Sequence, residues 1–134
     1  MTVLDASVVI QWVFHDEEGA DRAGRLKDAH VAGDDIVAVP DLFFFEAANV
    51  LATKTRLIEE DCAEALGLLW RMELEQFDFG LREFTRALHL AKRQGISVYD
   101  AAYLELSREL GCRFITADRK LYEKVKGFKH VALL

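Results

Sequence analysis

This chain has few of the residues that staple, anchor or break a fold. Its two cysteines, Cys62 and Cys112, stand far apart and neither belongs to a CxxC pair, so a zinc site is improbable. A single bridge is compatible with the spacing, but two buried thiols suit a core-rich domain better. The four histidines, His15, His30, His89 and His130, show neither HxxxH nor HxH spacing. Any bound metal should therefore be a hard ion held by oxygen. No apolar run approaches the roughly 18 residues of a membrane span. Met1 to Asp5 run straight into a strand-like segment, with no basic start or cleavable hydrophobic stretch, so a cytoplasmic protein with no membrane role is expected. Basic residues are also short. Lys and Arg number 17 against 23 Asp and Glu, a net charge of −6 that argues against a general nucleic-acid binder. An enzyme meeting nucleic acid at one locally basic rim remains allowed.

What is present is apolar material for a core, 51% of the chain, enough for one domain over residues 1–134. Short β-rich runs alternate with helical segments. Strands are predicted at Thr2–Leu4, Ile36–Val39, Gln76–Phe79 and Cys112–Thr116, with a possible fifth at His130–Leu133. Pro40, the only proline, ends the second, and Asp41 suits an N-cap for a helix reaching about Thr55. Other helices are expected from Ser7 to Phe14, near 18–33 up to Gly33, and from Glu59 past Trp70. Three more should cover Leu81–Gln94, Ser97–Leu110 and Asp118–Lys126. This alternation predicts an α/β fold, with a mainly parallel sheet of four or five strands covered on both faces. In such sheets ligands bind outside the carboxyl ends of the strands.

Four acidic residues fall at those ends. Asp5 follows the first strand and Asp118 the fourth, and each is as good an N-cap as a ligand. Asp100 stands in Ser97-Val98-Tyr99-Asp100, a spacing that also reads as a capping box. Glu46 is harder to explain structurally. Its helix, Leu42 to Ala52, is nearly apolar all round, which marks a buried helix, and Glu46 and Asn49 share one face at i and i+3. A carboxylate there is costly unless it is paired or metal-bound. Two like charges about 4 Å apart repel by roughly 4 kcal/mol at an effective dielectric near 20, so a cluster must take up protons or a cation. Oxygen ligands with room for water select Mg²⁺ or Mn²⁺, ions that support displacement at phosphorus.

These residues sit in four stretches: Val3-Leu4-Asp5-Ala6-Ser7-Val8, Phe45-Glu46-Ala47-Ala48-Asn49-Val50-Leu51, Tyr99-Asp100-Ala101-Ala102-Tyr103-Leu104 and Phe114-Ile115-Thr116-Ala117-Asp118. In order and spacing the chain resembles the PIN-domain family, most closely its VapC-type toxin ribonucleases. The resemblance implies a three-layer α/β/α sandwich and a Mg²⁺- or Mn²⁺-dependent endoribonuclease. Asp5, Glu46, Asp100 and Asp118 would take the acidic, metal-holding positions, and Ser7 and Thr116 the supporting hydroxyl positions. Asn49 would orient Glu46. One departure is Gln11, where many relatives carry lysine, a change expected to alter substrate contact. The resemblance also implies RNA as substrate, a homodimer, and a cognate antitoxin whose C-terminal segment blocks the site. The helix bearing Leu66, Leu69 and Trp70 offers apolar surface for an interface, or packs on the sheet.

Lys54, Arg56, Arg119, Lys120 and Lys124 form a candidate basic rim for RNA phosphates, or are simply solvated. Rival readings fit less well. A haloacid-dehalogenase-like phosphotransferase wants a second Asp where Ser7 stands, and a receiver-like signalling domain wants an acidic doublet after the first strand. A nuclease of RNA processing or turnover, or a PIN scaffold kept for binding, differs from a toxin in role more than in these residues.

Overall fold

Every strand of the sheet runs the same way. The computed structural model describes residues 1–14 and 19–134, and its five strands lie in the order β3-β2-β1-β4-β5, all parallel. They are β1 (Thr2–Leu4), β2 (Val37–Pro40), β3 (Glu75–Phe77), β4 (Arg113–Thr116) and β5 (Val131–Leu133). Every residue of β1 and β2 is buried. Successive strand residues face opposite sides, so both faces of the central sheet are covered.

The covering helices are α1 (Ala6–Val9), α2 (Ala20–Ala32), α3 (Phe43–Thr53), α4 (Glu59–Trp70), α5 (Leu81–Gln94), α6 (Val98–Leu110) and α7 (Arg119–Val125). α6 packs across β1, β2 and β4, while α7 lies against β4 and β5. Phe43, Phe114, Leu4 and Leu69 are fully enclosed, each worth roughly 1.5–3 kcal/mol of burial. His30 ties α2 to β2 and to the turn after α4. Its Nδ1 accepts from the Val37 N–H at 3.1 Å, which fixes the tautomer in which Nε2–H donates to the Met72 carbonyl at 2.7 Å.

Several local expectations are corrected. The apolar segment after Asp5 is a single turn of α-helix followed by a 3₁₀ turn, Ile10–Trp12, rather than one helix to Phe14. The helix expected near 18–33 runs from Ala20 to Ala32, and Glu18 lies outside the described residues. Pro40 belongs to β2, and Asp41 is no N-cap. Its N–H bonds the Phe77 carbonyl at 3.0 Å and extends the β2–β3 pairing, so α3 starts two residues later, capped by no side chain. The third strand ends at Phe77, because Phe79 turns away to pack edge-on against Phe84. Cys62 and Cys112 are unbridged, but half-buried rather than buried.

The largest correction concerns α3. Only Phe43, Ala47 and Leu51 are buried, a single i, i+4, i+8 stripe, and Phe45 is 84% exposed. The helix is apolar on its outer side as well as its inner one. Trp70, 62% exposed at the end of α4, packs against Phe44 with ring centroids 4.8 Å apart.

A charged clamp joins α5 to α6. Glu105 is 2% exposed and lies 3.5 Å from both Arg86 and Arg108. Glu109 bonds Arg82 at 2.9 Å and Arg86 at 2.8 Å. A cavity of about 420 Å³ opens there, toward the opposite end of α6 from Asp100, and its two lining carboxylates are both paired with arginines.

Candidate active site

Strand order places the site. From β1 the chain moves outward through β2 to β3, then returns to the far side of β1 with β4. The winding therefore reverses between β1 and β4, where a crevice opens at the strands' carboxyl ends. Leu4 is paired with Ile115, so the chain leaves β1 at Asp5 beside Thr116 on β4.

Asp5 caps α1. Its Oδ1 accepts the Val8 N–H at 3.3 Å and the Ser7 hydroxyl. Ser7 in turn accepts the Ala117 N–H at 2.9 Å and meets the Thr116 hydroxyl at 3.5 Å. Thr116 also accepts the Asp118 N–H at 3.0 Å. The hydroxyls thus knit the end of β1 to the end of β4. Asp118 is the N-cap of α7, accepting from the N–H groups of Lys120 and Leu121 through Oδ1. Both capping assignments are correct, and neither removes the residue from the crevice.

Asp100 arrives on the first turn of α6, which Ser97 caps by accepting the Asp100 N–H at 3.0 Å. Glu46 arrives on the first turn of α3. Asp5, Glu46, Asp100 and Asp118 line one cavity of about 200 Å³ with Ser7, Asn49 and Lys54. Burial pushes the Asp5 carboxyl up to about 7, against the lowering effect of Ser7 and Thr116, and the Asp100 charge adds to the rise. Burial also raises Glu46 and Asp100, each further raised by a neighbouring carboxylate. These acids raise one another because the crevice holds too little positive charge to balance them.

Glu46 is held by a residue to which sequence reasoning gave no role. Tyr103, fully buried on α6, donates its hydroxyl to Glu46 Oε2 at 2.6 Å and stacks on Phe114. Among the described residues Asn49 makes no bond to Glu46; it is exposed at the rim. The signal was available: Tyr103 stands three residues after Asp100, on the same helical face, and a buried tyrosine hydroxyl needs a partner.

Gln11 is also not where it was expected. It is buried, with Nε2 donating to the Ser7 carbonyl at 3.1 Å, so it braces the Asp5–Ser7 turn instead of facing a substrate. Of the basic candidates, Lys54 lines the acidic cavity and Arg56 a neighbouring one. Lys124 bonds the Gly95 carbonyl at 2.8 Å and lowers Asp100 from nearby. Arg119 and Lys120 are exposed on α7 and line neither cavity.

Residues 2–127 match the PIN domain family. The chain belongs to the PIN domain family. As a PIN domain it is 31% identical over 132 residues to the ribonuclease VapC3 of Pyrobaculum aerophilum, an alignment covering 91% of this chain and 92% of that protein. Its fold is shared by Mycobacterium tuberculosis VapC20, a sarcin–ricin loop cleaving toxin. That match has a TM-score of 0.70 at 14% identity and covers 98% of each chain. A toxin–antitoxin complex from Klebsiella pneumoniae also matches, with a TM-score of 0.70 at 14% identity over 98% of this PIN domain and 96% of that chain.

The metal-ligating groups this PIN domain's crevice offers are oxygens, four carboxylates, the Ser7 hydroxyl and the Asn49 amide oxygen, with the Lys54 ammonium on the same wall. No three acidic, histidine or cysteine side chains among the described residues converge into a ready-made cage. Such a donor set suits a hard dication that keeps some of its waters.

Proposed function

We propose that this PIN domain is an endoribonuclease that hydrolyses RNA phosphodiester bonds with Mg²⁺ or Mn²⁺. The observation that carries the reading is the convergence of four acids from four separate elements on one cavity, with no arginine among them. Kinship with a ribonuclease at 31% identity supports RNA as the substrate.

Asp5, Glu46, Asp100 and Asp118 would hold the metal. A bound dication supplies a water of lowered pKa and neutralises charge on the phosphoryl and leaving oxygens. Asp5 is fixed by Ser7 and by the α1 backbone, so its carboxylate keeps one orientation. Asp118 spends Oδ1 on its helix cap and keeps Oδ2 for the crevice. Tyr103 fixes Glu46 and leaves its other oxygen, Oε1, available. Lys54 stands at the cavity edge, where it can meet a phosphate. No histidine among the described residues lines the cavity, so none is invoked as a base.

The reading extends to partners. The similar fold found in a toxin–antitoxin complex supports a protein antitoxin, and the outward Phe45 and Trp70 offer it an apolar anchor. Leu81, Phe84 and Leu88, exposed along one face of α5, suit a second copy in a homodimer. Unbridged cysteines fit a reducing cytoplasm.

The test is RNA cleavage by the wild-type protein, by Asp5→Asn and by Asp100→Asn, with and without chelator. Cleavage should need Mg²⁺ or Mn²⁺ and fall on the order of a thousandfold in each folded variant. Undiminished activity in both variants, or activity surviving thorough chelation, would sink the mechanism.

A further inference from the structure

A second cavity, of about 510 Å³, adjoins the acidic one and shares Ser7, Val50, Lys54 and Asp118 with it. Its character is different. Ile10, Phe14, Val50 and Leu57 give it apolar walls, while Lys54 and Arg56 stand among them. We infer that this cavity is a nucleobase subsite, which seats a base of the RNA strand next to the phosphate being cut. The inference rests on the ribonuclease reading and adds how the strand is gripped.

Three observations converge on a base. Phosphates alone would not call for apolar walls, and an apolar peptide would not call for two cations inside them. A nucleotide has both needs, an aromatic face and an anionic link, at adjacent positions. Phe14 supplies a flat side chain for stacking, and Lys54 and Arg56 the charge for the phosphate that follows. The cavities are also continuous. Lys54 lies on the wall of both, so a phosphate held there would have acids on one side and an apolar chamber on the other. A strand bound this way has one base fixed relative to the scissile bond, so the chamber would influence where RNA is cut.

The test separates base from backbone. Fluorescence anisotropy is measured in EDTA, which prevents cutting, with labelled pentaadenylate, pentauridylate and a base-free ribose-phosphate pentamer. The phosphates are identical in all three, so repulsion from the acidic crevice cancels and any difference reads the bases. The base-bearing probes should bind about tenfold or more tightly than the base-free one. Phe14→Leu keeps apolar volume but removes the flat ring, and should erase most of that preference without weakening the base-free probe. Lys54→Gln should weaken all three probes alike and reduce the salt dependence. Equal affinity for base-bearing and base-free probes, or full preference retained in Phe14→Leu, overturns the subsite. Metal-dependent cleavage that persists beside equal affinities leaves the nuclease standing and removes the subsite. Base preference in a protein that cuts no RNA keeps the subsite and removes the nuclease.

Discussion

Glu105 and Asp5 are the two acidic residues buried among the described ones, and their surroundings are opposite. Glu105, in the α5–α6 clamp, faces Arg86 and Arg108, and those arginines reach water with much of their surface. Asp5, 5% exposed, faces two hydroxyls, a backbone N–H and the negative field of Asp100. A buried carboxylate must be neutralised somehow. At the clamp the chain does this with its own cations. At the strand ends it gives Asp5 neutral donors and more acid, and the nearby lysines, Lys54 and Lys124, act on Glu46 and Asp100, so neutralisation of Asp5 is left to a proton or to a cation from solution. The contrast sets a self-neutralised end of the molecule against one that is left open to a cation.

The comparison breaks most visibly through pH. Folding raises the Asp5 carboxyl from 3.8 to about 7, so the metal-free folded state binds a proton that the unfolded chain has already lost. The associated stability is present below about pH 4 and is lost as pH rises to about 7, on the order of 4 kcal/mol across that window. Urea denaturation in EDTA at pH 5 and pH 8 should show about 3 kcal/mol of this loss, the part that falls between those two pH values. Asp5→Asn should flatten most of the slope, leaving what the raised Glu46 and Asp100 contribute, and should be the more stable protein at pH 8. Saturating Mg²⁺ should restore wild-type stability there by binding only the folded state.

At the other end, Glu105→Ala should destabilise the protein by roughly 2 kcal/mol and leave metal-dependent cleavage intact. The cost stays below the 3–5 kcal/mol of a fully buried broken pair because both arginines can turn to solvent. A fall in cleavage by folded Glu105→Ala as large as that of Asp5→Asn would erase the distinction between the two ends. The smallest effect sharpens the open end alone. Tyr103→Phe removes one hydroxyl from Glu46 and should lower cleavage about tenfold, with a stability change of about 1 kcal/mol. Equal cleavage by Tyr103→Phe and wild type at limiting Mg²⁺ would show that Glu46 needs no such brace.

The sequence made the sheet legible because buried parallel strands read as short continuous apolar runs, as in Val37-Ala38-Val39. It made the acids legible because capping positions and strand ends coincide at Asp5 and Asp118. What misled was α3. An all-apolar helix suggests full burial, yet Phe45 points outward, since a surface kept for a partner has the same composition as a core. Tyr103 was overlooked for a related reason: an aromatic in an apolar run reads as packing, and its hydroxyl finds its acceptor on a helix 57 residues away. The clamp left almost no trace, because Glu105 stands between Leu104 and Leu106 with Arg108 and Glu109 close behind, a mix that reads as the polar edge of an amphipathic helix.

The hydrogen bond from the Ala117 N–H to the Ser7 hydroxyl joins residues 110 apart. Asp5 lies at the end of β1, yet the hydroxyl that orients it is itself held from the end of β4, three strands later in the chain. The crevice therefore assembles only when β4 docks beside β1. A chain in which that docking has failed would carry Asp5 without the hydroxyl network that orients it, so local folding of β1 and α1 cannot complete the site.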